Sequence, residues 1–222
     1  MNLLRKTSVE FSLIALAAML IMAITHAIGI IGLNSHKYHV LFENIASINL
    51  VLSFLLVITF HKPVNRNLFL FYALSFSIGM LAEVCGVNTG YPFGLYYYTS
   101  TFGWQVYGVP FIIGINWILL SYIAGVASNM LLWAEWQKTL AASVLMVVID
   151  LLLENFATRH HFWVWHDKIP PLQNYISWFV ISLLIQFGFR RLLPASVNWN
   201  AIAYLVILFL FLISDLVLAI YN

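Results

Sequence analysis

Seven apolar blocks, each about as long as a helix that crosses a bilayer, dominate this 222-residue chain. They run Val9–Leu33, Leu41–Phe60, Leu68–Val87, Val109–Trp133, Thr139–Ala157, Tyr175–Phe189 and Ala201–Tyr221. Little polar sequence is left between them, so the blocks predict an all-α fold: one polytopic bundle of about seven transmembrane helices, residues 1–222 forming a single integral membrane domain. A composition 63 % hydrophobic and 8 % charged agrees, since a soluble domain carries roughly 25 % charged residues. The sixth block is the shortest, which suggests that its helix begins inside the loop before it. The first block follows Arg5 and Lys6 and could pass for a signal peptide, but its length predicts a retained helix.

Lysine and arginine in short loops set orientation. With alternating spans, Arg5, Lys6, Lys62, Arg66, Lys138, Arg190 and Arg191 share one side, whereas Lys37, Arg159 and Lys168 share the other. This asymmetry predicts a multi-pass protein of the cell (plasma) membrane with a cytoplasmic amino terminus and an external Asn222. The ten cations form no basic stripe, which argues against nucleic acid as a partner. The single cysteine, Cys85, excludes a disulfide framework and a cysteine-based zinc site. Seven histidines are too few and too scattered for the His boxes of a membrane di-iron oxygenase, so no metal is expected. A retinal Schiff base is excluded as well, because the seventh span has no lysine.

The two longest connections, Asn88–Gly108 and Thr158–Asn174, then lie on one outer face. Both are crowded with aromatic rings, punctuated by glycine and proline into turns. An interfacial aromatic belt explains scattered rings; the ordered turns favour a lid or groove wall for something flat and apolar. Beneath these loops every buried ionisable group falls in the outer half of its span: His26, Glu43, Glu83, Asp150, Glu154 and Asp215, with the amide of Asn116. Each costs about 2.5–3.5 kcal/mol or more at membrane depth and so needs a partner or a task. Asp150 and Glu154, four residues apart, share a helix face, and two carboxyls so close in a low dielectric are expected to keep one proton between them. The competing explanation is that the carboxyls pair with Arg159, His26 or loop cations and lock helices together.

Several motifs resemble a known family. Gly90–Thr99 (Gly-Tyr-Pro-Phe-Gly-Leu-Tyr-Tyr-Tyr-Thr), Gly108-Val-Pro110 leading to Asn116-Trp117, the intramembrane Asp150, Phe162-Trp-Val-Trp165 and Asn174-Tyr-Ile-Ser-Trp-Phe179 are similar, in that order, to carotenoid biosynthesis proteins of the CruF type. The resemblance spans Tyr72 to Arg191, the first two helices and the last matching in hydrophobicity alone. It departs at Glu154-Asn155, at Pro170-Pro171-Leu172-Gln173 and at Ser177-Trp178.

The resemblance implies a carotenoid hydratase, adding water across the terminal C1,C2 double bond of an acyclic end group. Asp150 and Glu83 are then the expected acid/base pair, with Asp215 and Glu154 tuning them or positioning water. Tyr96, Trp104, Trp163 and Trp165 are expected as walls facing a carbocation. Tyr91, Phe93, Asn116, Trp117, Asn174 and Trp178 complete the expected substrate contacts. No cofactor is needed for this chemistry, and no Gly-rich dinucleotide fingerprint occurs. The partner is a carotenoid dissolved in lipid, lying between helices with its end group at the acids; self-association or association with other carotenoid enzymes is compatible with this. Two rival readings remain: a lycopene-cyclase-like enzyme that protonates the same end group, and a carotenoid-binding protein or small transporter, in which Gly79, Gly86 and Gly114 would break helices.

Overall fold

The computed structural model describes residues 12–194 and 196–221, so Arg5, Lys6 and Asn222 lie outside the described residues. Within them are seven long helices: α1 (Leu13–Leu33), α2 (His39–Ile58), α3 (Arg66–Thr89), α4 (Phe111–Asn129), α5 (Glu135–Arg159), α6 (Leu172–Leu192) and α7 (Trp199–Tyr221). Each is long and apolar enough to cross a membrane, so the chain is a seven-helix multi-pass membrane protein. Ends are set by local chemistry. Ser12 Oγ accepts from Ala15 N–H and Asn65 Oδ1 from Leu68 N–H, capping the first turns of α1 and α3. Gly90, at φ +76°, closes α3 with a left-handed residue that only glycine adopts at little cost.

The sixth helix begins right after Pro171, inside the aromatic loop, and reaches 21 residues. Its polar first turn hid this start, because Gln173 and Asn174 interrupt the hydropathy: Asn174 is buried and Gln173, though exposed, bonds to the loop at Pro92. The fourth span is shorter than its apolar block: Val109 and Pro110 belong to a strand, and the helix stops at Asn129.

α4 is the central helix, its buried residues on every side, from Ile112 to Ser128. The glycines at 79, 86 and 114 do not break helices; α3 and α4 run through them. They are seats for rings instead. A Cβ on Gly79 would lie 2.3 Å from Trp117 Cγ, one on Gly114 2.3 Å from Phe76, and one on Gly86 2.8 Å from Phe93. Gly79→Ala is therefore expected to cost about 1–3 kcal/mol by overpacking and to displace the Trp117 indole. Gly29→Ala, whose Cβ would meet Phe211 at an ordinary 3.6 Å, should be near neutral. Midpoints of unfolding in SDS and near-ultraviolet circular dichroism compare the two; equal midpoints would contradict this packing.

The two long loops form one roof. β1 (Tyr96–Tyr98) pairs antiparallel with β4 (Trp163–Trp165), with Tyr96 opposite Trp165 and Tyr98 opposite Trp163. β2 (Gln105–Val106) and β3 (Val109–Pro110) make a second short ladder. Thr99 N–H donates to Phe162 O and His166 N–H to Leu95 O, extending the β1–β4 contact. Gln173 Nε2 and Ser177 Oγ both donate to Pro92 O, at 2.8 and 2.7 Å, and fasten the first loop to α6.

Candidate active site

Alternation along the paired strands decides what the roof presents below. In β1 the side chains of Tyr96 and Tyr98 turn into the bundle while Tyr97 is 57 % exposed. Across the ladder Trp163 and Trp165 turn inward with them. The result is four ring donors over two carboxyls. Glu83, on α3, accepts from the hydroxyls of Tyr96 and Tyr98 at 2.5 and 2.8 Å, and from Trp117 Nε1 at 3.0 Å. Glu154, on α5, accepts from Trp163 Nε1 at 2.9 Å and Trp165 Nε1 at 2.7 Å. One turn earlier on the same face, Asp150 accepts from Asn174 Nδ2 at 2.9 Å, and that amide also reaches Glu154 at 3.4 Å.

Asp150 is the sparsely bonded member. Among the described residues it receives this one donor, on Oδ2, whereas Glu83 and Glu154 each receive three. Burial first, and then the adjoining Glu83, raise the ionisation of Tyr96 and Tyr98 well above that of a free tyrosine, so both hydroxyls stay protonated and keep donating.

Glu83, Asp150 and Glu154 share a chamber of about 30 Å3 with Phe93, Tyr96, Tyr98, Asn116, Trp117, Trp163, Trp165, Asn174 and Trp178. Among the described residues no Lys, Arg or His lines it. Trp117 and Trp178 stack at 4.1 Å, closing its floor. Since one water needs roughly 10–15 Å3 of such space, the chamber has room for one or two. Beside it lies a larger cavity of about 400 Å3 among α1, α2, α4, α5 and α7. Ile113, Asn116, Leu153 and Trp163 line both, so the two spaces adjoin there. The larger one is apolar apart from a few groups such as His26 and Asn49, whose Oδ1 is buried without a hydrogen-bond partner among the described residues.

Three of the residues expected at the site lie elsewhere. Asp215, on α7, accepts from His160 Nε2 at 2.9 Å, from Arg159 at 3.3 Å and from Asn34 Nδ2 at 3.1 Å. Arg159 also donates to Asn34 Oδ1 and to the backbone carbonyl of Asp215. That cluster ties α1 and α5 to α7, as the helix-locking explanation has it for this one carboxyl. Tyr91 is 73 % exposed and Trp104 72 %, outside the chamber. Trp104 packs on Phe111 instead. Glu43 and His26 also stand apart from the three carboxyls. Conversely, Tyr98 belongs to the chamber and was not expected; the two-residue spacing from Tyr96, matched by Trp163 and Trp165, is the signal for it. The rings act through their O–H and N–H groups as well as their faces, so they are more than apolar walls.

A membrane bundle with buried acids under an aromatic roof, adjoining an apolar cavity, is built to handle an apolar molecule taken from lipid. A model of the carotenoid biosynthesis protein family matches residues 43–221, and the chain belongs to that family. The match extends the resemblance through most of α2 and all of α7, leaving α1 outside it. Comparison with curated proteins finds no match, and comparison with solved structures finds none.

Proposed function

We propose that the protein is a carotenoid hydratase that works by acid protonation and water capture. The observation that carries this reading is the convergence of Glu83, Asp150 and Glu154 in one chamber that adjoins a large apolar cavity. Three carboxyls this close in a low dielectric cannot all be charged, so a proton is held among them. Asp150, with the fewest donors, is the acid. Its proton adds to C2 of the terminal trisubstituted alkene, and the π pair that forms the new C–H bond leaves a tertiary cation at C1. The indole faces and the remaining carboxylates stabilise that cation. A water in the chamber adds to C1 and gives up a proton to the carboxylate of Asp150 or Glu154, so the net change is one H2O per end group. Glu83 holds Tyr96, Tyr98 and Trp117 in place on the wall of the chamber.

A lycopene-cyclase-like reading uses the same first step but must then keep water away from the cation. A chamber with space for one or two waters beside the acids favours hydration. Expressing the chain in a bacterium that makes lycopene and weighing the pigments tests this. A gain of one water per processed end supports the hydratase; an isomer of unchanged mass supports the cyclase; bound but unaltered lycopene leaves a binding protein or transporter.

The loop end faces outward in this reading. Of the described cations Lys62, Arg66, Lys138, Arg190 and Arg191 lie toward the opposite end of the bundle, and Lys37, Arg159 and Lys168 toward the roof. A reporter enzyme active only outside the plasma membrane, fused after the last residue, should be active; activity solely of a cytoplasmic reporter there would reverse the orientation.

A further inference from the structure

We propose that a lipid-facing slot between α2 and α4 is the port in which a linear polyene hydrocarbon lies, its end group inside the cavity and its remainder extending into the bilayer. This rests on the reading of the carboxyl chamber as the reacting site. The slot measures about 570 Å3. Ile48, Leu52 and Phe102 line both the slot and the inner cavity, so the two adjoin. With the Asn116 and Trp163 junction, slot, cavity and chamber adjoin in series from the lipid face to Glu83, Asp150 and Glu154.

The helix that forms one wall is fastened at both ends, and along its length by Ser53 and Phe54, which meet Tyr204 and Tyr72. Only Ser53 and Val57 of α2 are buried. At one end Asn198 Nδ2 donates to Val57 O at 2.8 Å, and His61, just beyond the helix, sits 2.7 Å from the Tyr122 hydroxyl. At the other end Phe42 packs over Gly32 of α1, so closely that a Cβ there would meet the ring at 2.3 Å. Between these anchors Ile48 is 65 % exposed.

The chemistry of the lining selects the occupant. Among the described residues no ionisable side chain lines the slot, and Ser47 and the Trp104 indole are its polar side chains. A charged lipid head would stay unsolvated there, whereas a polyene loses nothing and gains dispersion against Phe102, Trp104 and Phe111. Whatever part of a linear carotenoid does not enter the inner cavity needs an apolar exit of this kind. Trp104, remote from the chamber, thereby acquires a place at the mouth.

The test uses the full chain in lycopene-containing membranes, in the Asp150→Asn background so that the probe is not consumed. Leu52 is replaced by the photoreactive p-benzoylphenylalanine, and Leu184, 58 % exposed on α6, by the same group as a lipid-facing control. After irradiation, mass spectrometry should find lycopene adducts at least ten-fold enriched at position 52 over position 184. Equal yields, or phospholipid adducts alone at position 52, would overturn the port. Should the bulky group disturb α2, the same enrichment is read from Phe111, on the α4 wall of the same slot. Enrichment in a protein whose wild-type form leaves lycopene unchanged refutes the hydratase and keeps the port; water-added pigment without enrichment does the reverse.

Discussion

Asp150→Asn is expected to lower the proposed hydration of lycopene by about 10²–10⁴-fold, the usual contribution of a positioned general acid, and to leave the bundle folded. The substitution keeps size and shape. The amide oxygen can still accept from Asn174 Nδ2, now made at 2.9 Å, and the chamber loses one titratable group without gaining a cavity. What disappears is the transferable proton. Glu83→Gln should be milder toward chemistry and harsher toward order, because Tyr96, Tyr98 and Trp117 all converge on it. Product formed per amount of folded membrane protein distinguishes the two. A fully active Asp150→Asn variant would remove this residue from the mechanism.

The second large effect falls on stability. Asp215→Ala should destabilise the protein by about 3 kcal/mol, the lower end of the cost of removing one partner from a buried ion pair. Arg159, 28 % exposed, escapes part of the penalty by reaching water and by keeping the Asp215 backbone carbonyl and Asn34 as acceptors. His160, almost wholly buried, loses the carboxylate it now meets at 2.9 Å. The unfolding midpoint in SDS should fall while turnover per folded molecule is retained. Lost turnover with an unchanged midpoint would instead put Asp215 in the chemistry.

These two carboxyls show what could be read from the sequence and what could not. Hydropathy locates every span because lipid-facing positions must be apolar along each helix. It misplaces ends where polar residues bond to protein, as Gln173 and Asn174 of α6 do. That the acids sit at one end follows from counting alternate spans. Which acids meet does not follow, because it depends on helix neighbours: Asp150 and Glu154 share a face by their spacing of four, but Glu83 joins them only since α3 and α5 both border α4. Asp215 looked equivalent by depth and proved to face Asn34, Arg159 and His160, partners drawn from two other helices and a loop. The pairing of β1 with β4 is likewise a contact between segments more than sixty residues apart, although the alternation of Tyr96 with Tyr98 and of Trp163 with Trp165 is visible locally.

The account stands on a carboxyl of this chamber delivering a proton to carbon. Membranes holding the protein should therefore be given lycopene in D2O and the pigment analysed by mass spectrometry and NMR. A product with one added water per processed end, a hydroxyl at C1 and a non-exchangeable deuterium at C2 is the expected result. Unaltered lycopene, or an oxygenated product with no deuterium on carbon, would contradict it.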